Sequence, residues 1–305
     1  MSLLPSRPVL YAGPVFLFIL FFTAACTCDR AGEDRNTGIN IDISDEELKD
    51  VFSGRQVFYA LPSPLETAIM LKSAGAWYDE DLMNPVENVS RYMTNRSMAL
   101  NLGIYITNIS YASLFDQTQT CMRYMDAARQ LAGNLGITDA IDQNTMESLE
   151  ENLHNQEVIM DIVSETFMSS TSFLKENNRE PVAAMMFLGG WIEGIYLALN
   201  LANEDDLAGN TLINRIAESK MSFEMVMLLL SDYADNKDIA GLIDEVGEIG
   251  DIFEKIEVRS SRVNVINAPD DPVAVLSSDA SSSIGRDEFL RLKVTVTGIR
   301  NSFIK

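Results

Sequence analysis

The strongest constraint on the fold of this chain is a succession of segments whose apolar residues recur at three-and-four spacing, each bounded by a helix cap or a breaker. The most apolar runs from Pro181, whose ring suits a first helical turn, to Leu201. Earlier segments read the same way. Ser44 and Glu47 can close a capping box on a short helix near 44–53. Pro64 opens a helix that Gly75 stops, and Asn84, Pro85 and Val86 start another through Met93. Ser97–Leu114 and Asp116–Leu135 follow, the latter ended by Gly136.

The second half repeats the pattern. Asn144–Ser172 reads as one long helix, and Thr211–Tyr233 and Asp238–Val258 add two more. Pro269, Pro272 and a serine-rich stretch mark 258–285 as a surface loop, within which Val263–Ile266 is the best strand signal. Arg286–Ile304 places Phe289, Leu292, Val296, Ile299 and Phe303 on one stripe and is expected to dock on the domain. The predicted class is all-α, a bundle or array of about eight to nine antiparallel helices with short connections. A weak internal duplication is also suggested. Leu102, Gly103, Ile106, Ile109 and Ala112 match Leu188, Gly189, Ile192, Ile195 and Ala198 at a constant offset of 86.

The beginning of the chain has another character. Residues 1–13 carry one charge, Arg7, and Pro14–Ala25 is an apolar run ending in small residues, the plan of a secretory signal over 1–25. An uncharged stretch from Val9 to Ala25 lies at the short limit of the roughly 17–25 residues that cross a bilayer, and no basic cluster follows it. Ala24 and Ala25 directly before Cys26 resemble the lipobox of bacterial lipoproteins, with Thr23 where that family carries an aliphatic residue. The resemblance implies a diacylglycerol on the Cys26 thiol, cleavage just before it and acylation of the new amino terminus. Two or three acyl chains would hold a membrane stably. Residues 26–43 then form the lipidated terminus and a polar tether, and 44–305 the helical domain.

Charge narrows the partners. The chain has 23 basic and 45 acidic side chains and a formal charge of −22. Loss of residues 1–25 removes only Arg7 and makes the charge −23. Nucleic acid needs the opposite sign and is not an expected partner. Cys121 is the only cysteine outside the anchor region, so a disulfide scaffold and a paired-cysteine zinc site are excluded.

Catalytic motifs are absent. His154 is the sole histidine, on a segment dense with acids, and HExxH, phosphate-loop, nucleophile-elbow and calcium-loop patterns do not occur. No metal and no cofactor is expected. The residues that stand out are polar ones inside apolar helices. Asn101, Tyr105, Asn108 and Ala112 share one face, with Tyr111 beside it, and Glu193 lies next to Trp191 and near Tyr196. Glu66 and Glu87 sit early in other helices. A carboxylate in such surroundings must find a partner or shift its pKa. Tyr105, Asn108, Trp191 and Glu193 could line a ligand pocket, with Glu66 and Glu87 as further candidates. The alternative is a hydrogen-bond network tying helices together, which Gly189, Gly190 and Gly194 favour by letting a neighbouring helix approach.

The segments YALPSPLETA (59–68), NPVENVSRY (84–92), SMALNLGIY (97–105) and FLGGWIEGIYLA (187–198) resemble a group of helical lipoproteins of Bacteroidota that has no assigned reaction. The resemblance implies a helical fold and a bacterial envelope location. Thr27 beside the anchor, where an aspartate retains some lipoproteins at an inner membrane, favours the outer membrane and leaves the periplasmic or surface face open. The expected role is non-enzymatic binding of an envelope protein, glycan or small molecule, or a structural one. The alternative is a carboxylate-dependent hydrolase using buried glutamates.

Overall fold

A computed structural model of the chain describes residues 77–137, 155–204, 207, 211–259, 263–266, 275–278 and 281–305, with isolated positions at 72, 148 and 152. The expected helices at 44–53 and 64–75, the signal, Cys26, the tether, Glu66 and His154 lie outside them.

The class is all-α. Two 3-10 turns, Glu80–Leu82 and Val86–Arg91, lie in an irregular strap over 77–94. Seven α-helices follow among the described residues: α1 Asn95–Leu114, α2 Thr118–Leu135, α3 Gln156–Glu176, α4 Glu180–Leu201, α5 Thr211–Ser231, α6 Lys237–Phe253 and α7 Arg286–Phe303. Between α6 and α7, β1 Glu257–Arg259 pairs antiparallel with β4 Ser281–Ser283, and β2 Val263–Ile266 with β3 Val275–Ser278. The expected loop over 258–285 is therefore partly a ribbon of short strands, and the Val263–Ile266 strand signal is met.

Local chemistry sets the helix ends. Thr94 and Ser97 form a reciprocal capping box on α1, which begins two residues before the expected Ser97. Gly136 closes α2 in the left-handed region at φ 67°, where glycine has no Cβ penalty. Asn155 caps α3 by accepting from the Val158 N–H, at φ −110°. This corrects the single helix expected over Asn144–Ser172: the asparagine leaves helical backbone and starts a new helix that runs on to Glu176. The helix expected through Met93 is likewise a 3-10 turn, because Pro85 and the side-chain contacts described below hold the backbone.

Helix α4 is at the centre. It is long and apolar enough to cross a membrane, but α1, α3, α5 and α7 cover most of its surface. Its closest neighbour is α1. A methyl group added at Gly103 would lie 2.0 Å from the Met186 carbonyl oxygen, and one at Gly189 would lie 2.0 Å from the Leu100 carbonyl oxygen. Backbone therefore meets backbone, and Thr107 Oγ1 donates across the contact to the Gly190 carbonyl at 3.2 Å. The contact is reciprocal, since Met186 lies 86 residues beyond Leu100 as Gly189 does beyond Gly103. Two copies of one helix packed about a local two-fold would meet in this way. The flanking connections differ, with three residues between α1 and α2 and nine between α4 and α5.

The C-terminal helix docks as its stripe predicts. Phe289, Leu292, Val296, Ile299 and Phe303 are all buried, and α7 packs on α4 and α6.

Candidate functional site

The polar face of α1 lies under the strap. Irregular backbone in a protein interior must find partners for its N–H and C=O groups, because no helix ladder supplies them. Side chains of α1 do this one after another. Tyr111 Oη accepts from the Asp79 N–H at 2.8 Å and donates to the Trp77 carbonyl at 3.0 Å. Tyr105 Oη donates to the Pro85 carbonyl at 3.0 Å, and Asn108 Oδ1 accepts from the Asn84 N–H at 3.0 Å. Three residues at helical spacing thus hold a segment that cannot hold itself.

Asn84 is the hub of the strap. Its Nδ2 donates to Tyr92 Oη at 2.9 Å and to Asn101 Oδ1 at 3.0 Å, while its Oδ1 accepts from Asn88 Nδ2 at 2.9 Å. Asn101 in turn donates to the Phe303 carbonyl at 2.8 Å. Tyr92 Oη lies 3.4 Å from both Asn84 Oδ1 and the Ile304 carbonyl, which share its proton. The strap, α1 and the end of α7 therefore meet at one cluster of amides and a phenol.

A charged pair completes the cluster. Asn108 Nδ2 donates to Glu193 Oε1 at 2.6 Å. Arg300 approaches the same carboxylate with two nitrogens, Nε to Oε2 at 2.9 Å and Nη2 to Oε1 at 3.2 Å, and Nη2 also donates to the Leu82 carbonyl at 3.1 Å. The guanidinium lies 4.6 Å from the centre of the Tyr196 ring. Glu193 is 0% exposed and Arg300 4%. Burial works against the Arg300 charge, but the Glu193 carboxylate outweighs it, so the guanidinium is held more firmly protonated than usual. Burial also pushes the Tyr105 phenol far above its ordinary range, so it acts as a neutral donor.

The structure brings three of the sequence candidates together: Tyr105 and Asn108 on α1 and Glu193 on α4. Trp191 is elsewhere. Two residues along a helix turn the side chain by roughly 200°, and Trp191 Nε1 donates to Ser222 Oγ at 2.9 Å while its ring packs on Phe223 and Phe253. Glu87 is exposed on the strap. Glu66 and Cys26 lie outside the described residues. Arg300, Asn84, Asn88 and Tyr92 were not among the candidates. Arg300 carried a signal, because it falls four residues after Val296 and three before Phe303 and so adjoins the buried stripe of α7.

The chemistry open to this arrangement is limited. Paired-acid glycoside cleavage needs two carboxylates about 5–9.5 Å apart around an open cleft, whereas Glu193 is sealed and doubly held and Glu87 faces solvent. Among the described residues no group of three or more His, Cys, Asp or Glu side chains could hold a metal ion. Cys121 is buried with its thiol pushed up to about 12, chiefly by burial, and so is un-ionised at neutral pH. No family model matches the chain, and no curated protein or solved structure matches it.

Proposed function

We propose that this chain is a bacterial envelope lipoprotein, anchored through Cys26 in the outer membrane on its periplasmic or surface face, whose helical body has a non-enzymatic binding or structural role. The observation that carries the non-enzymatic reading is the closure of the polar cluster. Glu193, Asn108, Arg300 and Tyr105 are bonded to one another or to the chain's own backbone, so the buried Glu193 carboxylate is already engaged within the protein. The anchor rests on Ala24, Ala25 and Cys26 and on the likeness to Bacteroidota lipoproteins. A body with this surplus of acid is repelled by anionic lipid, so an acyl anchor supplies what the protein surface does not.

Mass spectrometry of the mature N-terminal peptide from membranes tests the anchor. The expected peptide begins at a diacylglyceryl-modified, N-acylated Cys26, and Cys26→Ala abolishes processing at that position. A free Cys26 thiol, or a chain starting elsewhere, overturns the anchor. The binding role is tested by in-cell photo-crosslinking to envelope proteins and by thermal shift against envelope glycans and metabolites. A partner or stabilising ligand is the expected result. Silence in both assays, with an unaltered envelope after deletion, overturns the role.

A further inference from the structure

The strap and the tip of α7 lie more than two hundred residues apart in the chain, yet they are bonded to each other and to the same side chains. Tyr92 of the strap reaches the Ile304 carbonyl, Arg300 of α7 reaches the Leu82 carbonyl, and Asn101 of α1 holds Asn84 on one side and Phe303 on the other. Neither end is complete without its partner. If the strap lifts, Arg300 keeps Glu193 but loses Leu82, and the Asn101 amide loses the acceptor-side partner that orients it. If α7 lifts, the buried Glu193 carboxylate loses its cation and Tyr92 loses a carbonyl.

We propose that strap 77–94 and the C-terminal half of α7 form a single two-ended latch, which opens and closes as one cooperative unit while α5 and α6 stay folded. Three observations support it. The two ends are joined through Asn101 by buried bonds to Asn84 and Phe303 and directly by part-buried ones, Tyr92 to Ile304 and Arg300 to Leu82, so breaking the buried ones leaves polar groups without water and raises the cost of the half-open state. The strap's own backbone bonds are short-range, such as Met83 N–H to the Glu80 carbonyl and Asn88 N–H to the Pro85 carbonyl, so nothing local keeps it in place. Among the described residues the α5–α6 hairpin makes no hydrogen bond to Asn84, Tyr92, Asn101, Glu193 or Arg300; it meets α7 by apolar packing and at the rim, where Ser302 Oγ donates to Glu245, and its Phe223 and Phe253 rings lie on the other side of α4. Proteins open in contiguous units of this kind, and the unit boundary follows where contacts are shared. The latch is a conformational device that conveys an event at the strap to the far end of the chain, and it does not depend on the lipid anchor.

Native-state hydrogen exchange on the full mature chain tests the proposal, with Asn84→Ala as the perturbation. Asn84 touches no atom of α7 in the bonds described, so a purely local effect would remain in the strap. The expected result is faster exchange at Met83, Asn88 and Tyr92 and at Val296–Phe303 by the same factor, roughly 10- to 100-fold, with α5 and α6 amides at wild-type rates. Acceleration confined to the strap overturns the proposal. An equal factor in α5 and α6 also overturns it, since the opening would then be global. If Asn84→Ala does not fold, Asn88→Ala removes a donor to Asn84 and likewise touches no atom of α7 in the bonds described, and the same outcomes decide.

Discussion

The two sides of α4 are built on different principles, although Glu193 and Trp191 are only two residues apart. On the Glu193 side, α1, α7 and the strap are joined by directional bonds among asparagines, tyrosines and one ion pair. On the Trp191 side, α5 and α6 are joined by rings: Trp191 on Phe223 at 5.3 Å between centroids, and Phe223 on Phe253 at 5.6 Å. Apolar packing is non-directional and tolerates a change of shape if volume is kept. A buried polar pair tolerates none, because each lost partner leaves a desolvated group behind. The comparison explains where this fold can vary and where it cannot.

The sharpest way to break the contrast is Arg300→Met. It leaves the Glu193 carboxylate buried without its cation, and a loss of about 3–5 kcal/mol is expected in urea denaturation. The double variant Glu193→Leu with Arg300→Met should recover a large part of that loss, because a hydrophobic replacement of both partners leaves no unpaired charge. No recovery would mean that the bond to Leu82, and not the charge pair, carries the stability.

Gly189→Ala comes next. Its methyl would meet the Leu100 carbonyl, which is backbone and cannot swing aside, so α1 and α4 must separate at a cost of about 1–3 kcal/mol or more. Gly103→Ala should cost a similar amount, given the reciprocal contact with Met186. Unequal losses in parallel denaturation curves would show that the local symmetry does not extend to energetics.

On the aromatic side, Phe223→Leu should cost roughly 1.5 kcal/mol or less if neighbouring rings repack. Trp191 fluorescence should shift with it, because Phe223 lies against the indole. A loss as large as that of Arg300→Met would remove the distinction between the two sides.

The smallest effect belongs to the turns. Asp116 and Asn178 adopt positive φ, 58° and 56°, between α1 and α2 and between α3 and α4. Replacing either by glycine should raise the melting temperature slightly, corresponding to about 0.5 kcal/mol, since only the αL penalty is relieved. A fall would show that the side chain contributes a bond worth more than the strain.

Much of the fold was legible in the sequence because helix signals are local. Pro181, Gly136, Thr211 and Arg286 mark real ends, and the α7 stripe is buried as its spacing predicts. The signals failed where a side chain competes with the helix. Asn155 turned a continuous apolar pattern into a new cap, and Asn84 became a hub where a helix start was expected. For the candidate site, the buried status of Asn108, Tyr105 and Glu193 could be read from their apolar neighbours. Their partners could not. Glu193 and Arg300 are 107 positions apart, and no periodicity relates them. Trp191 was grouped with Glu193 by adjacency in sequence, which on a helix separates two residues more than it joins them.

The clasp around the strap also orders events in time. The Leu82 carbonyl needs Arg300, Tyr92 and Asn101 need the carbonyls of Ile304 and Phe303, and these partners leave the ribosome more than two hundred residues after the strap. Contacts of such separation carry the loop-closure entropy of almost the whole domain and form slowly. Until residues 300–304 have been made, the strap has no complete set of acceptors and the Glu193 carboxylate has no cation. A chain wired in this way keeps its final tertiary structure out of reach until residues 300–304 arrive, however early the helices before them form.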